Sequence, residues 1–262
     1  MNVVRQEKSI TLRPGVEEDA QAIYRLKREA FGASSLQFTI YQSEKTVAYI
    51  RHLIASESEI FVVAESSGEL TGYANVGFAG NQPVLNYIAV SGGVRSCGLG
   101  KSLLKEAESR TLEKAYGTLM LDAFESNPRV LDWYEKSGYS VVSRSFLYRI
   151  DLASALRKDK GMPVDLPSWQ FALDTEGHAG FSKVVVATTG GEITLGLIGG
   201  NACKLLGYRG ISLDEAIATA AATVNGTRDE LIVRSLEAPK RECHLLSLET
   251  VLRMVKKLHV NL

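Results

Sequence analysis

The sequence predicts a mixed α/β protein in two parts. Three observations carry that prediction. Apolar runs of strand length alternate with segments whose apolar residues recur every three to four positions. A glycine-rich turn at residues 92–100 leads from one such run directly into one such helix. The segment Arg157 to Trp169, rich in charge, proline and glycine, fits neither period and reads as part of a linker over residues 153–169. It separates a first domain, 1–152, from a smaller α/β domain, 170–262, and 262 residues are ample for two cores.

Composition narrows the function. The 30 basic and 30 acidic residues cancel, and neither half is basic, so nothing favours nucleic acid or an anionic membrane as a partner. No apolar run approaches the roughly 18 residues of a membrane span, and the first residues lack the apolar core of a signal peptide. Cys97, Cys203 and Cys243 are odd in number and widely spaced, which gives neither a disulfide framework nor a metal pair. A cytoplasmic protein with reduced thiols and no metal is the expectation.

Ser9 to Arg13 is a short strand ended by Pro14-Gly15. Val16, Ala20, Ile23, Lys27 and Ala30-Phe31 follow at helical spacing, with Glu17, Glu18 and Asp19 at the positive end of the helix dipole. Ser43 is the N-cap candidate for a second helix carrying Val47, Ile50, Leu53 and Ile54. Glu59 to Glu65 and Leu70 to Phe78 form a hairpin across Ser66-Ser67-Gly68. Leu85 to Val90 is a buried strand, and Gly98 to Leu104 opens a long helix that stops at Gly117. Thr118 to Phe124 is the next strand. Pro128 opens a short helix to Lys136, and Ser140 to Ile150 is a closing strand. Beyond the linker, Val184 to Thr188 and Glu192 to Ile198 read as a hairpin. Ser212 caps a helix of small residues, Glu230 to Ser235 is a strand, and Leu246 opens a final helix with Leu248, Val251, Leu252 and Val255 inside.

A strand, a glycine-rich turn and a helix start make a site for a pyrophosphate, because glycines let the backbone approach and the first helical N–H groups are unpaired. Two such loops are excluded by residues. A phosphate loop of the GxxxxGK[ST] type needs glycine where Arg95 stands, and the dinucleotide pattern GxGxxG meets Leu103 at its third glycine.

The spacing Arg95-x-x-Gly98-x-Gly100 after a strand resembles the acetyl-CoA signature of the GNAT N-acetyltransferase superfamily. Asn127-Pro-Arg-Val-Leu-Asp-Trp-Tyr-Glu-Lys-Ser-Gly-Tyr139 resembles that superfamily's second signature, and Thr11-Leu-Arg-Pro-Gly15 with its acidic helix start is similar to its opening. The resemblance covers about residues 9–152 and implies the mixed-sheet acetyltransferase fold with acetyl-CoA as cosubstrate. It implies that the backbone of Arg95, Ser96, Cys97, Gly98, Leu99, Gly100, Lys101 and Ser102 wraps the pyrophosphate. The strand edge at Ile88, Ala89 and Val90 would then pair with the pantetheine amides, as an extended ligand adds to a sheet. That pairing requires the strand to splay from its neighbour at a bulge, which Gly92-Gly93 does not locate. It implies Tyr134 as the proton donor to the departing thiolate. A phenol of pKa near 10 facing a thiol near 8.5 gives a transfer uphill by roughly 2 kcal/mol, suited to a transient donor. Asn127 has two roles open to it, a contact to the pantetheine arm or the cap of the following helix.

The acceptor implied is a primary amine on a small molecule or a protein, attacked directly in a ternary complex. An ammonium of pKa near 10.4 must lose a proton first, at a cost of about 4.6 kcal/mol at pH 7. The run from Gln82 to Ser91 holds no carboxylate to take it. Asp122, Glu125 and His52 are candidates, and none is singled out. An acyl-CoA sensor without turnover is the rival reading. For the second domain three roles stay open: a degenerate acetyltransferase-like repeat, a cover for the acceptor cleft, or a homodimer contact.

Overall fold

A computed structural model describes residues 10–31, 39–94, 98–152, 166–224, 227–237 and 245–259. β1 (Thr11–Pro14) is followed by a 3-10 turn, Glu17–Asp19, and by α1 (Ala20–Ala30). Asp19 closes that turn: its carboxylate accepts from the Val16 N–H at 2.8 Å and from both terminal nitrogens of Arg13. α2 (Thr46–Ala55) starts two residues later than Ser43 as its N-cap predicts. Lys45 occupies the cap, and the Ser43 hydroxyl accepts from the Lys45 N–H at 3.3 Å in the turn ahead of it. β2 (Ile60–Ser66), β3 (Glu69–Ala79) and β4 (Gln82–Val90) form an antiparallel meander. α3 (Leu99–Glu113), β5 (Thr118–Phe124), α4 (Pro128–Lys136) and β6 (Ser140–Asp151) complete the first half.

The second half differs from the sequence reading at three places. α5 (Leu166–Ala179) occupies the end of the expected linker, and Trp169 is buried in the core. β7 (Phe181–Ala187) and β8 (Glu192–Ile198) form the expected hairpin, but a further strand, β9 (Ala202–Arg209), precedes α6 (Leu213–Thr223). β10 (Glu230–Ser235) is as read. The final helix is instead a 13-residue strand, β11 (Leu245–Lys257). Its sequence supports both periods. The strand prevails because it lies between β5 and β6, which both offer backbone partners along its length.

All eleven strands join one sheet in the order β1-β2-β3-β4-β5-β11-β6-β10-β9-β8-β7. Apart from β1, that order reads symmetrically about the β11/β6 pair. The symmetry extends to register. β4 pairs in parallel with β5 up to Leu85↔Leu121, and β9 with β10 up to Leu205↔Val233. The next residue in each is passed over in the ladder to β3 or β8, which places bulges at Asn86 and Leu206. Each half also gives its last strand to the other, since β11 pairs with β5 and β6 with β10.

Three apolar clusters hold the layers together. Leu85, Leu99, Leu103, Leu104, Leu119, Leu121 and Tyr134 fill the space between the sheet and α3 and α4. Each fully buried leucine contributes roughly 1.5–3 kcal/mol. On the opposite face Ile23 and Tyr24 of α1 and Ile50 of α2 pack with Phe61, Val63 and Tyr73 of the sheet. Leu195, Leu197, Cys203, Ala216, Ala220 and Val233 form the core of the second half. The second half also meets α2. Tyr49 packs edge-on against Phe181 at 4.6 Å, Lys45 Nζ donates to the Gly177 carbonyl, and the Gln42 side chain fills the space beside Gly199. The face carrying α1 and α2 is thereby walled at its far side by residues of the second half.

Candidate active site

The site begins where β4 leaves β5. Both run on beyond Leu85↔Leu121, β4 to Val90 and β5 to Phe124, without further pairing to each other. The bulge at Asn86 turns β4 aside, and the β5-facing edge of Tyr87, Ile88 and Ala89 has no partner strand among the described residues. This supplies the splay that the sequence reading required but did not locate. Side chains alternate across β4: Ile88 and Val90 pack toward α3, while Tyr87 and Ala89 lie under α1.

Past Val90 a 3-10 turn, Gly92–Val94, leads toward α3. Arg95, Ser96 and Cys97 lie outside the described residues. Gly98 caps α3 in the left-handed region at φ 81°, a conformation that costs a residue with a Cβ roughly 1–2 kcal/mol. Lys101 and Ser102 return their N–H groups to the Gly98 carbonyl at 3.0 and 3.1 Å. Leu99 and Gly100 are left at the open end of the helix. The first turn carries no acidic residue, and the side chains of Lys101 and Ser102 are exposed beside it. An anion meets positive partial charge there.

Tyr134, on α4, is buried in the cluster that contains Leu85, Leu121 and Ala123, the residues at the splay. Its ring lies 4.7 Å from Trp133 and 5.7 Å from Tyr139. Burial pushes its phenol well above the ordinary value, so it is neutral and carries its proton at any physiological pH. Its hydroxyl makes no hydrogen bond among the described residues. Asn127 caps α4: Oδ1 accepts from the Val130 N–H at 3.3 Å, which leaves its amide nitrogen uncommitted.

The base candidates are sorted by their partners. Asp122 receives four donors, Nη1 and Nη2 of Arg234 at 2.6 and 3.0 Å and Nε and Nη2 of Arg253 at 2.5 and 2.9 Å. Although burial alone would raise its pKa, the two guanidinium groups hold it below the usual carboxylate value. Asp122 is therefore a poor proton acceptor. Glu125 is exposed and paired with Arg144, and His52 is exposed on α2.

A carboxylate that the sequence reading passed over stands at the bulge. Glu59, just ahead of β2, accepts from Asn75 Nδ2 at 2.8 Å, and its Oε1 and the Asn86 side-chain amide share the space over Gly77. Burial raises its pKa, partly offset by the Asn75 hydrogen bond. Alternation along β2 puts Glu59 on the α1/α2 face with Phe61 and Val63, opposite Tyr134. The only available signal was its position ahead of an apolar run on a strand not adjacent to β4.

On the same face, Lys27 is 1% exposed and its Nζ lies over the rings of Phe31, Tyr41 and Tyr87. Nζ has no hydrogen-bond partner among the described residues, and burial, with a smaller contribution from Lys204 of β9, lowers its pKa to about 5.

Residues 20–139 match the model of the acetyltransferase (GNAT) family, and this segment is a GNAT acetyltransferase domain. An acetyltransferase of Pectobacterium atrosepticum is 27% identical over 93 residues, covering 36% of this chain and 66% of that protein, just under two thirds of its length. Among solved structures, a tandem GNAT protein from the clavulanic acid biosynthesis pathway superposes with a TM-score of 0.65 at 11% identity, over 97% of this chain and 100% of that one. A GCN5-related N-acetyltransferase from Kribbella flavida does so with a TM-score of 0.56 at 15% identity, over 96% of this chain and 71% of that one. These two likenesses establish the fold. Acetyl-CoA is the cosubstrate the family uses. The residues here fit it: an acid-free helix start headed by Gly98 follows a strand that leaves its neighbour β5 after Leu85.

Proposed function

We propose that the protein transfers an acetyl group from acetyl-CoA to a primary amine by direct attack in a ternary complex. The observation that carries this reading is the parting of β4 from β5 at the Asn86 bulge, next to the Gly98 helix start, with Tyr134 packed on one face of the sheet and Glu59 on the other. Gly98, Leu99, Gly100, Lys101 and Ser102 hold the pyrophosphate together with Arg95, Ser96 and Cys97. The edge at Ile88 to Val90 aligns the pantetheine amides, and Asn127 adds a contact through its amide nitrogen. Glu59 takes the proton of the attacking ammonium, directly or through one water. As the tetrahedral intermediate collapses, Tyr134 gives its proton to the thiolate leaving group.

The second half is, in this reading, a degenerate copy that lost its own coenzyme site. The start of α6 is already filled: Ser212 caps it, and the Glu215 carboxylate accepts from the Ser212 N–H and hydroxyl at 2.8 Å each. A carboxylate placed there repels a pyrophosphate. Calorimetry is therefore expected to give one acetyl-CoA per chain, and thiol release from acetyl-CoA is expected to depend on added amine. Binding without release on any amine would replace the enzyme by an acyl-CoA sensor, and absence of binding would remove both readings.

A further inference from the structure

Asp122 is the residue after Leu121, the last partner of β4 before the strands part, so its cluster with Arg234 and Arg253 lies about one strand residue, roughly 3.3 Å along the chain, from the splay. Alternation places Asp122 and Met120 on the α1/α2 face, opposite Leu119, Leu121 and Ala123. On that face an open groove of about 560 Å³ is lined by Gln82, Met120, Ser143, Ser145, Arg234 and Arg253, among others, with no carboxylate in its lining among the described residues. This volume is within the usual range for small-molecule sites.

The charges in the cluster do not cancel. Two guanidinium groups face one carboxylate, and four hydrogen bonds already occupy both oxygens of Asp122. Arg234 Nε is held by the Ser145 hydroxyl at 2.9 Å, while Arg253 Nη1 makes no hydrogen bond among the described residues. Asp122 therefore aligns two arginines side by side and leaves one unit of positive charge and free donors on the groove wall. Planar guanidinium groups fixed in this way suit a carboxylate or a phosphate.

We propose that Arg234 and Arg253 form a subsite for an anionic group on the acceptor, so that the acetylated amine belongs to a small molecule that also carries a carboxylate or phosphate. The subsite rests on the acetyl-transfer reading for its role, but not for its binding chemistry. It also gives the second half a function. Both arginines come from residues beyond the linker, on β10 and β11, and reach the first half's site because the sheet is continuous. A half without a coenzyme site thereby supplies the charge that selects the acceptor.

The test compares acceptors of matched length: pentylamine, 1,5-diaminopentane, 5-aminopentanoate and 4-aminobutylphosphonate, each with acetyl-CoA and thiol release as readout. The two anionic amines are expected to exceed the others in kcat/KM by tenfold or more, and their ratio tells carboxylate from phosphate preference. Arg253→Gln and Arg234→Gln should erase that advantage through KM while acetyl-CoA affinity by calorimetry stays unchanged, and Arg253→Lys should keep part of it. Equal or better turnover of pentylamine or the diamine, or an equal loss on all four amines, would overturn the subsite. If acetyl-CoA is not bound or no amine is turned over, the transfer reading falls by itself. The subsite is then judged by calorimetric titration of 5-aminopentanoate and inorganic phosphate. Binding that the double glutamine variant abolishes upholds it, and no binding to the unaltered protein overturns it.

Discussion

Tyr134 and Glu59 divide the proton traffic of the proposed reaction between the two faces of the sheet, and each gives a distinct prediction. Tyr134→Phe removes only a hydroxyl from a buried ring, so acetyl-CoA affinity should hold while turnover falls by about a hundredfold or more, as loss of a general acid does. Single-turnover thiol release beside calorimetry reads both quantities. Glu59→Gln keeps the hydrogen-bonding shape beside Asn75 but cannot take a proton. Because burial raises the Glu59 pKa, the acidic limb of kcat in the unaltered enzyme should lie above the range of an ordinary carboxylate. That limb should disappear in the variant along with most activity, and a pH profile with the limb intact would remove Glu59 as base. Lys27 makes a stability prediction. Its folded pKa is about 5 against 10.5 in the unfolded chain, so between those values the unfolded state binds the extra proton and stability falls as pH falls. The faces of Phe31, Tyr41 and Tyr87 oppose this, at up to about 2 kcal/mol per desolvated ring, but burial outweighs them. Lys27→Met should therefore raise Tm, most at pH 6 to 7 and progressively less toward pH 10. An equal shift at every pH would contradict the buried neutral amine.

At the scale of elements, the N-termini of α3 and α6 show how similar backbones acquire opposite electrostatics. α3 starts on a left-handed glycine with no acid in its first turn, whereas α6 starts on a serine with Asp214 and Glu215. The second half is fastened by a buried ion pair between Glu176 of α5 and Arg228, whose Nη1 also donates to the Gly200 carbonyl at 3.0 Å, while the Gly200 N–H donates to Glu176 Oε1 at 2.9 Å. Glu176→Ala leaves the Arg228 charge buried without its counterion and should cost about 3–5 kcal/mol, measured by denaturant unfolding. The signature elements were legible in sequence because they are local. Gly98 heads α3, Asn127-Pro128 opens α4 and Ser212 caps α6, each where the local sequence predicts it. Glu59 was not legible, because its place beside Asn86 depends on the ladder across β2, β3 and β4. Asp122 was visible as a carboxylate near the site, but its two arginines are more than 100 residues away in sequence.

At the scale of the whole molecule, the exchange of last strands makes the halves interdependent. β11 fills the gap between β5 and β6, buries Met254 and, just past its end, Leu258 in the first half's core, and sends Lys256 to Glu108 at 2.7 Å, where Tyr139 also donates at 3.0 Å. A fragment of residues 1–152 would expose the facing edges of β5 and β6. It should show no cooperative unfolding by circular dichroism and no acetyl-CoA binding, while co-expression with residues 153–262 should restore both. A stably folded fragment that binds acetyl-CoA would show that β11 is dispensable.

The sequence by itself determined the acetyltransferase signature, the strand–turn–helix that carries it and most element boundaries of the first half, because glycine placement, proline at a helix start and short-range periodicity act within a few residues. Only the tertiary structure decided that residues 245–257 are a strand, that β4 bulges at Asn86, and that Glu59, Asp122, Arg234 and Arg253 lie on one face. Those outcomes depend on which distant backbone edge or charge a segment meets, and local periodicity carries no information about a partner 100 residues away.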